Sequence, residues 1–301
     1  MDVDGYGGQG QEPGDRSPCG KTGERAAWGQ LNPLEACDAQ DYPTLAQIGL
    51  LCLVVVGLVL LSSVAVEVLM SWRVRTSSIK PSLIGLIISE GMMLSSVLLL
   101  LRVRHMSATV ILRLRPVALP VLGASLLLGV SWSVLVGEID SLIQRLIPIP
   151  EFISRMFADL TAARDVGGTV LVFVAVVLLP GICEEAFFRG VVLAGFAGRW
   201  GTWSGILTSS LLFALLHFNP WQFVPLFLVG ALLGYLVLAT HSLYPAILAH
   251  SANNLLSWVS MSGTARVDYQ VPIWLVLFSA LVFAIGLRTL KRARGRVREL
   301  G

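Results

Sequence analysis

The sequence predicts an all-α fold, a polytopic transmembrane helical bundle of about eight spans. Three observations lead there. Of the 301 residues, 55% are hydrophobic and only 14% charged, and the mean hydropathy of +0.75 lies well above that of an ordinary soluble domain. The apolar residues gather in runs long enough to cross a bilayer. Inside these runs stand isolated polar groups: Glu184 with Glu185, His217, His250 and Asn254. Leaving such groups in hydrocarbon costs about 2.5–3.5 kcal/mol per central charge unless they meet one another or water.

The first 44 residues are Gly-rich and polar (Gly5, Gly7, Gly8, Gly10, Pro13, Gly14), without the pattern of a secretory signal. They are expected to form a disordered tail, with Trp28 and Leu31 touching the membrane surface. A span needs about 20 apolar residues at ~1.5 Å rise each. On that rule the transmembrane domain covers 45–290, with spans at 45–69, 83–101, 116–136, 168–197, 203–218, 223–239, 243–259 and 272–290. The run from 168 is longer than one span requires and is interrupted at Pro180-Gly181, where proline removes a backbone donor, so a kink or broken helix is predicted. Between the third and fourth spans, 139–163 sets Ile143, Leu146, Ile153, Met156 and Phe157 against Arg145, Arg155 and Asp159. That mixture suits an interfacial amphipathic helix interrupted by Pro148 and Pro150.

The net charge of +3 is small and sits in loops and at the C-terminus rather than on one groove, which argues against nucleic acid as a partner. It reports orientation instead. Arg288, Lys291, Arg292, Arg294, Arg296 and Arg298 place the basic tail 291–301 in the cytoplasm, and an even number of spans places the N-terminus there too. Arg102, Arg104, Arg113 and Arg115 also fall inside, whereas Arg73, Arg75 and Lys80 fall outside, against the rule. The four cysteines, Cys19, Cys37, Cys52 and Cys183, lack CxxC spacing and are expected to be free thiols. Cys183 reads as inert packing, and Gly190, Gly195, Gly230 and Gly234 as sites of close helix contact. His105 and His241 fall at membrane edges. Glu90, alone in the second span, is expected to hydrogen-bond a neighbouring helix in preference to lining a cavity.

Chemistry points to the stretch from Pro180 to Gly190. Helical geometry turns Glu184 and Glu185 about 100° apart and sets Glu185 four residues before Arg189, so that these two can pair. A paired carboxylate has its lone pairs occupied. Glu184 has no local cation and is left as a poorly solvated base, which assigns it to chemistry and Glu185 with Arg189 to architecture; a purely structural ion-pair network is the alternative. His217 ends one apolar run, and His250 and Asn254 share a face of another. Histidine can move a proton or orient water, and an Asn amide can donate to a developing oxyanion. Either can also be an ordinary interhelical hydrogen bond. Counting from the turn at Arg199 and Thr202, Glu184 and His217 each lie fifteen residues away, at about 22 Å by the helical rise. From His241, His250 falls at about 13 Å and Asn254 at about 20 Å, within reach of the same layer.

The succession EExxxR (Glu184, Glu185, Arg189), FxxxH (Phe213, His217) and HxxxN (His250, Asn254), each on its own apolar helix, resembles the CPBP family of intramembrane proteases, the CAAX prenyl protease type II or Abi family. The likeness covers roughly 168–262, about a third of the chain. It implies a four-helix catalytic core there and an endopeptidase acting on a membrane-associated or C-terminally processed substrate. It further implies that Glu184 activates water with help from His217, that His250 and Asn254 stabilise the tetrahedral intermediate, and that Glu185 and Arg189 hold the motif helix. No cofactor is expected, although Glu184, His217 and His250 could supply a zinc shell. Membrane lipid and a peptide or membrane-protein substrate are the expected partners, and a bacterial inner membrane the expected location. A non-catalytic scaffold or immunity protein of the same fold, or a proton-coupled transporter, would use the same buried groups differently.

Overall fold

A computed structural model of the chain describes residues 42–73, 80–163, 165–262 and 271–299. The expected tail up to residue 41, with Cys19 and Cys37, lies outside the described residues, as do Arg75 and the last two residues. Ten helices follow one another: α1 (Leu45–Arg73), α2 (Pro81–Val103), the single turn α3 (Ala108–Ile111), α4 (Leu119–Leu146), α5 (Glu151–Thr161), α6 (Val166–Trp200), α7 (Thr202–Leu216), α8 (Phe223–Thr240), α9 (Tyr244–Ser262) and α10 (Ile273–Glu299). Six of them, α1, α2, α4, α6, α8 and α10, are long and apolar enough to cross a membrane. The other two expected spans are helices as well. However, α7 stops at 15 residues, and α9 interrupts its apolar face with His250, Ser251, Asn253 and Asn254.

Two local expectations change. The helix predicted over 139–163 divides differently: its first part belongs to α4, because nothing before Pro148 removes a backbone donor, and only α5 is the separate amphipathic piece. Phe152 and Met156 of α5 are exposed beside the Glu151–Arg155 ion pair at 2.6 Å, the composition of a helix lying along a bilayer surface. Secondly, α6 is not broken at Pro180. The helix widens into π turns over Phe173–Leu178 and Glu185–Val192, and Pro180 lies at the start of the α segment between them, where the wider turn accommodates the residue that lacks an N–H.

The bundle is arranged around α4, which packs against α8, α9 and α10, while α2 lies between α1 and the middle of α6. Its centre is apolar: Leu128, Phe187, Val191, Phe213, Leu233 and Leu236 are almost fully buried. By contrast, only 17% of the span in α10 is buried inside the protein, against half of that in α8. Leu277, Phe278 and Leu281 of α10 are exposed, as suits side chains facing lipid. The α6–α7 turn is made at Gly201, φ 84°, a backbone state that would cost a side chain about 1–2 kcal/mol. His105 and His241 follow α2 and α8 with positive φ, 52° and 53°, His105 exposed and His241 half-buried.

Cations that look like loop charges in the sequence are tied into this frame. Lys80, at the start of α2, donates to the carbonyls of Asp159 and Ala162 at the end of α5, the latter at 3.0 Å. Its place against the charge rule is therefore a helix-capping one. Arg113 is 4% exposed and donates to the Arg189 carbonyl at 3.3 Å. Burial pushes its guanidinium down to about 10. Arg199 donates to the carbonyls of Pro43 (2.7 Å) and Gly195 (2.9 Å), which fastens the start of α1 to the end of α6.

Candidate active site

Close helix contacts bring the polar groups together. A Cβ on Gly129 of α4 would lie 2.6 Å from the Ala249 carbonyl oxygen and 2.7 Å from its Cα, so the absent side chain is what lets α9 approach. Gly181 of α6 meets Ser251 of α9 in the same way. These contacts flank His250 and press it toward α6.

The glutamates take up different surroundings. Glu185 and Arg189 are wholly buried and paired at 2.8 Å, as the four-residue spacing predicts. Arg189 also donates to the Gly230 carbonyl at 3.3 Å, and its guanidinium lies 4.4 Å from the centre of the Phe213 ring, a favourable place for a cation. The same Glu185 oxygen, Oε1, accepts from His250 Nδ1 at 2.8 Å. That bond was not anticipated from the sequence, because spacing along one helix says nothing about which residue of another helix meets it.

Glu184 points to a different set. Its Oε1 lies 3.9 Å from His217 Nε2 and its Oε2 lies 3.8 Å from His250 Nε2. Both gaps exceed a direct hydrogen bond, so the carboxylate faces two imidazole nitrogens without being consumed by either. The Glu184 side chain is 13% exposed, His217 29% and His250 4%. Access is therefore from the His217 side. Phe213 lies against both imidazoles, 4.5 Å from the His217 ring and 5.9 Å from that of His250.

The partners of the outer nitrogens fix the tautomers. His217 Nδ1 is 2.6 Å from the Phe213 carbonyl, which can only accept, so Nδ1 carries hydrogen and a neutral ring turns its Nε2 lone pair toward Glu184. His250 Nδ1 faces a carboxylate oxygen already paired with Arg189, so it too donates. Its Nε2 has a hydrogen to offer only when the ring is charged.

The level count holds for Glu184 and His217, which face each other. For α9 it is shifted: His250, counted well short of Glu184, is level with it, and Asn254 lies a further turn along. Asn254 is half-buried and accepts from the Asn253 amide at 3.4 Å. Glu90 also departs from expectation. It is 5% exposed, and its Oε2 has no hydrogen-bond partner among the described residues. Among the described residues no three His, Cys, Asp or Glu side chains are grouped as a metal site.

The family model of Rce1-like, type II CAAX prenyl endopeptidases matches residues 166–256, a stretch that holds every motif residue from Glu184 to Asn254. An uncharacterized 24.3 kDa protein of Escherichia coli is 30% identical over 148 residues, 44% of this chain and 64% of that protein. The chain thus spans less than two thirds of the length of this relative. No solved structure matches it.

Proposed function

We propose that this integral membrane protein, whose residues 166–256 match the family model of Rce1-like type II CAAX prenyl endopeptidases and which has six helices fit to cross a bilayer, is an intramembrane endopeptidase with Glu184 as its base. One observation carries the reading: both oxygens of Glu184 face imidazole Nε2 atoms, of His217 at 3.9 Å and of His250 at 3.8 Å. A water between Glu184 and His217 gives a proton to Glu184 while its oxygen attacks the scissile carbonyl. The proton then passes to the leaving amine, which restores the carboxylate.

The oxyanion falls to His250 and Asn254. His250, held through Nδ1 by the Glu185 carboxylate, donates from Nε2 in its charged form. Glu184 and Glu185 as anions then balance Arg189 and His250 as cations, which leaves the buried cluster neutral in a medium that penalises net charge. Asn254, one turn along the same face, supplies the second donor from its side-chain amide. Glu185 and Arg189 keep His250 in place. The substrate is a membrane-associated or C-terminally processed polypeptide, reached from the half-open His217 side.

The decisive experiment compares membrane proteomes of cells carrying the wild type and Glu184→Gln. An uncleaved precursor accumulating with the variant, at equal expression, is the expected result. Unchanged processing of every membrane polypeptide would overturn the assignment.

A further inference from the structure

Arg113 stands in the link between α3 and α4, outside the matched stretch 166–256, and the reaction outlined above does not use it. Ile111, Leu112 and Arg113 are buried in succession, and the surface that covers them is the motif helix. Leu112 fills the space beside Gly190 of α6, where a Cβ would strike its side chain. Next to that contact the Arg113 guanidinium donates to the Arg189 carbonyl at 3.3 Å. A carbonyl has a second lone pair to offer, so such a bond can be added to the helix's own ladder. The preceding carbonyl, of Phe188, is used in the same way by the Ser209 hydroxyl of α7 at 2.9 Å.

The main chain of the same link holds the approach to α9. The Arg113 carbonyl accepts from the Leu243 N–H at 3.1 Å, and the Arg115 carbonyl from the Ser242 hydroxyl at 2.6 Å. Ser242 and Leu243 are buried and lead directly into α9; His250 follows about 9 Å along it by the helical rise. Arg113 thus bonds through its side chain to the helix of Glu184, Glu185 and Arg189, and through its backbone to the start of the helix of His250 and Asn254. It does so at φ 49°, a backbone state uncommon for a residue with a side chain.

Stability does not account for this arginine. It is 4% exposed, and the ion pairs among the described residues do not include it. A buried cation without an anion works against folding, and an apolar side chain of similar length would fill the same place with less desolvation.

We propose that Arg113 is a positioning residue for the reaction: it clamps α6 at the Arg189 carbonyl to the start of α9, and so sets the distance at which His250 meets Glu184 and Glu185. This deepens the proposed reaction and rests on Glu184 being its base.

Two signals of the full chain in lipid vesicles test the clamp without cleavage. Protein isotope-labelled at the Arg carbonyls and Gly nitrogens shows in solid-state NMR its Arg–Gly pairs, of which the sequence has two, Arg189–Gly190 and Arg294–Gly295. Gly295→Ala removes the second and identifies the first. With labelled histidine, the His250 ring is the signal lost in His250→Gln. Arg113→Met should move both, the Arg189 carbonyl because its added donor is gone and the His250 ring because its place beside Glu185 changes. Arg113→Lys, which can supply the single N–H that the carbonyl accepts, should leave both near wild type. An Arg189 signal unmoved by Arg113→Met would remove the contact, and a still His250 ring beside a shifted Arg189 signal would remove the positioning. Where cleavage is measured, Arg113→Met should lower kcat by up to about 10²-fold, the effect of a small displacement of reacting groups, with KM kept and the melting temperature equal to or above that of wild type. Arg113→Lys should restore most of the turnover. An unchanged kcat, or a fall in melting temperature alongside the lost turnover, would leave Arg113 without a positioning role. If the wild type cleaves nothing, the protease reading fails alone, and the two NMR signals still decide the clamp.

Discussion

A single oxygen, Oε1 of Glu185, accepts from Arg189 at 2.8 Å and from His250 Nδ1 at 2.8 Å, so the structural ion pair and the imidazole facing Glu184 are one unit. Breaking a buried pair by removing one partner costs about 3–5 kcal/mol. Glu185→Ala should therefore lower thermal stability in detergent by that order and disorder His250 at the same time. Loss of activity with an unchanged melting curve would separate the two functions that the shared oxygen joins.

For Glu184→Gln the outcome is the reverse. Glu184 accepts no direct hydrogen bond at the distances observed, and its replacement is isosteric, so the melting temperature should hardly change while cleavage disappears. Purified protein in vesicles, assayed by gel shift of a membrane-anchored peptide, reads both quantities.

His217 is held through the Phe213 carbonyl and offers Nε2 to the cleft. His217→Ala should lower kcat by about 10²–10⁴-fold, the usual weight of a positioned acid–base group, with little change in unfolding because the ring is 29% exposed. Equal turnover in the two proteins would remove the histidine from the mechanism.

Gly129→Ala sets two effects against each other. In a helix interior alanine is favoured over glycine by up to about 1 kcal/mol, but here the new methyl group would sit 2.6 Å from a backbone oxygen of Ala249. Overpacking against main chain costs about 1–3 kcal/mol and pushes away the residue that precedes His250. A net fall in both stability and cleavage is expected, measured by differential scanning fluorimetry and the peptide assay.

Glu184, His217 and His250 were also the residues that could form a zinc shell. With Glu184 as a metal-free base, dialysis against a strong chelator should leave cleavage intact. Activity lost to the chelator and restored by zinc would convert those three side chains from base, assistant and donor into ligands.

Much of the site was legible because a helix is a ruler. Fifteen residues on either side of the Arg199–Thr202 turn set Glu184 opposite His217, and a four-residue step paired Glu185 with Arg189. What failed were the places where the ruler changes or where two helices meet side by side. His250 lies level with Glu184 instead of short of it, and Pro180, read as a kink or a break, falls at the start of an α segment between two π segments of one continuous helix. The contact Glu185–His250 joins residues 65 positions apart, and no periodicity within one helix reports such a neighbour. Arg113 and Lys80 were read only as loop charges that report orientation, and the carbonyls in front of them come from distant parts of the chain.

The unequal exposure of the two imidazoles gives the cleft a direction. Among the described residues the ring at the end of α7, just before the short Pro220–Gln222 turn, is the more open of the two that face Glu184, and the ring on α9 is closed off. On the proposed reading, a polypeptide would approach past a group that binds or releases protons. Reagents that alkylate imidazole should thus find one histidine long before the other, and a bulky segment lodged at that turn would shut the chemistry off without touching the buried charges.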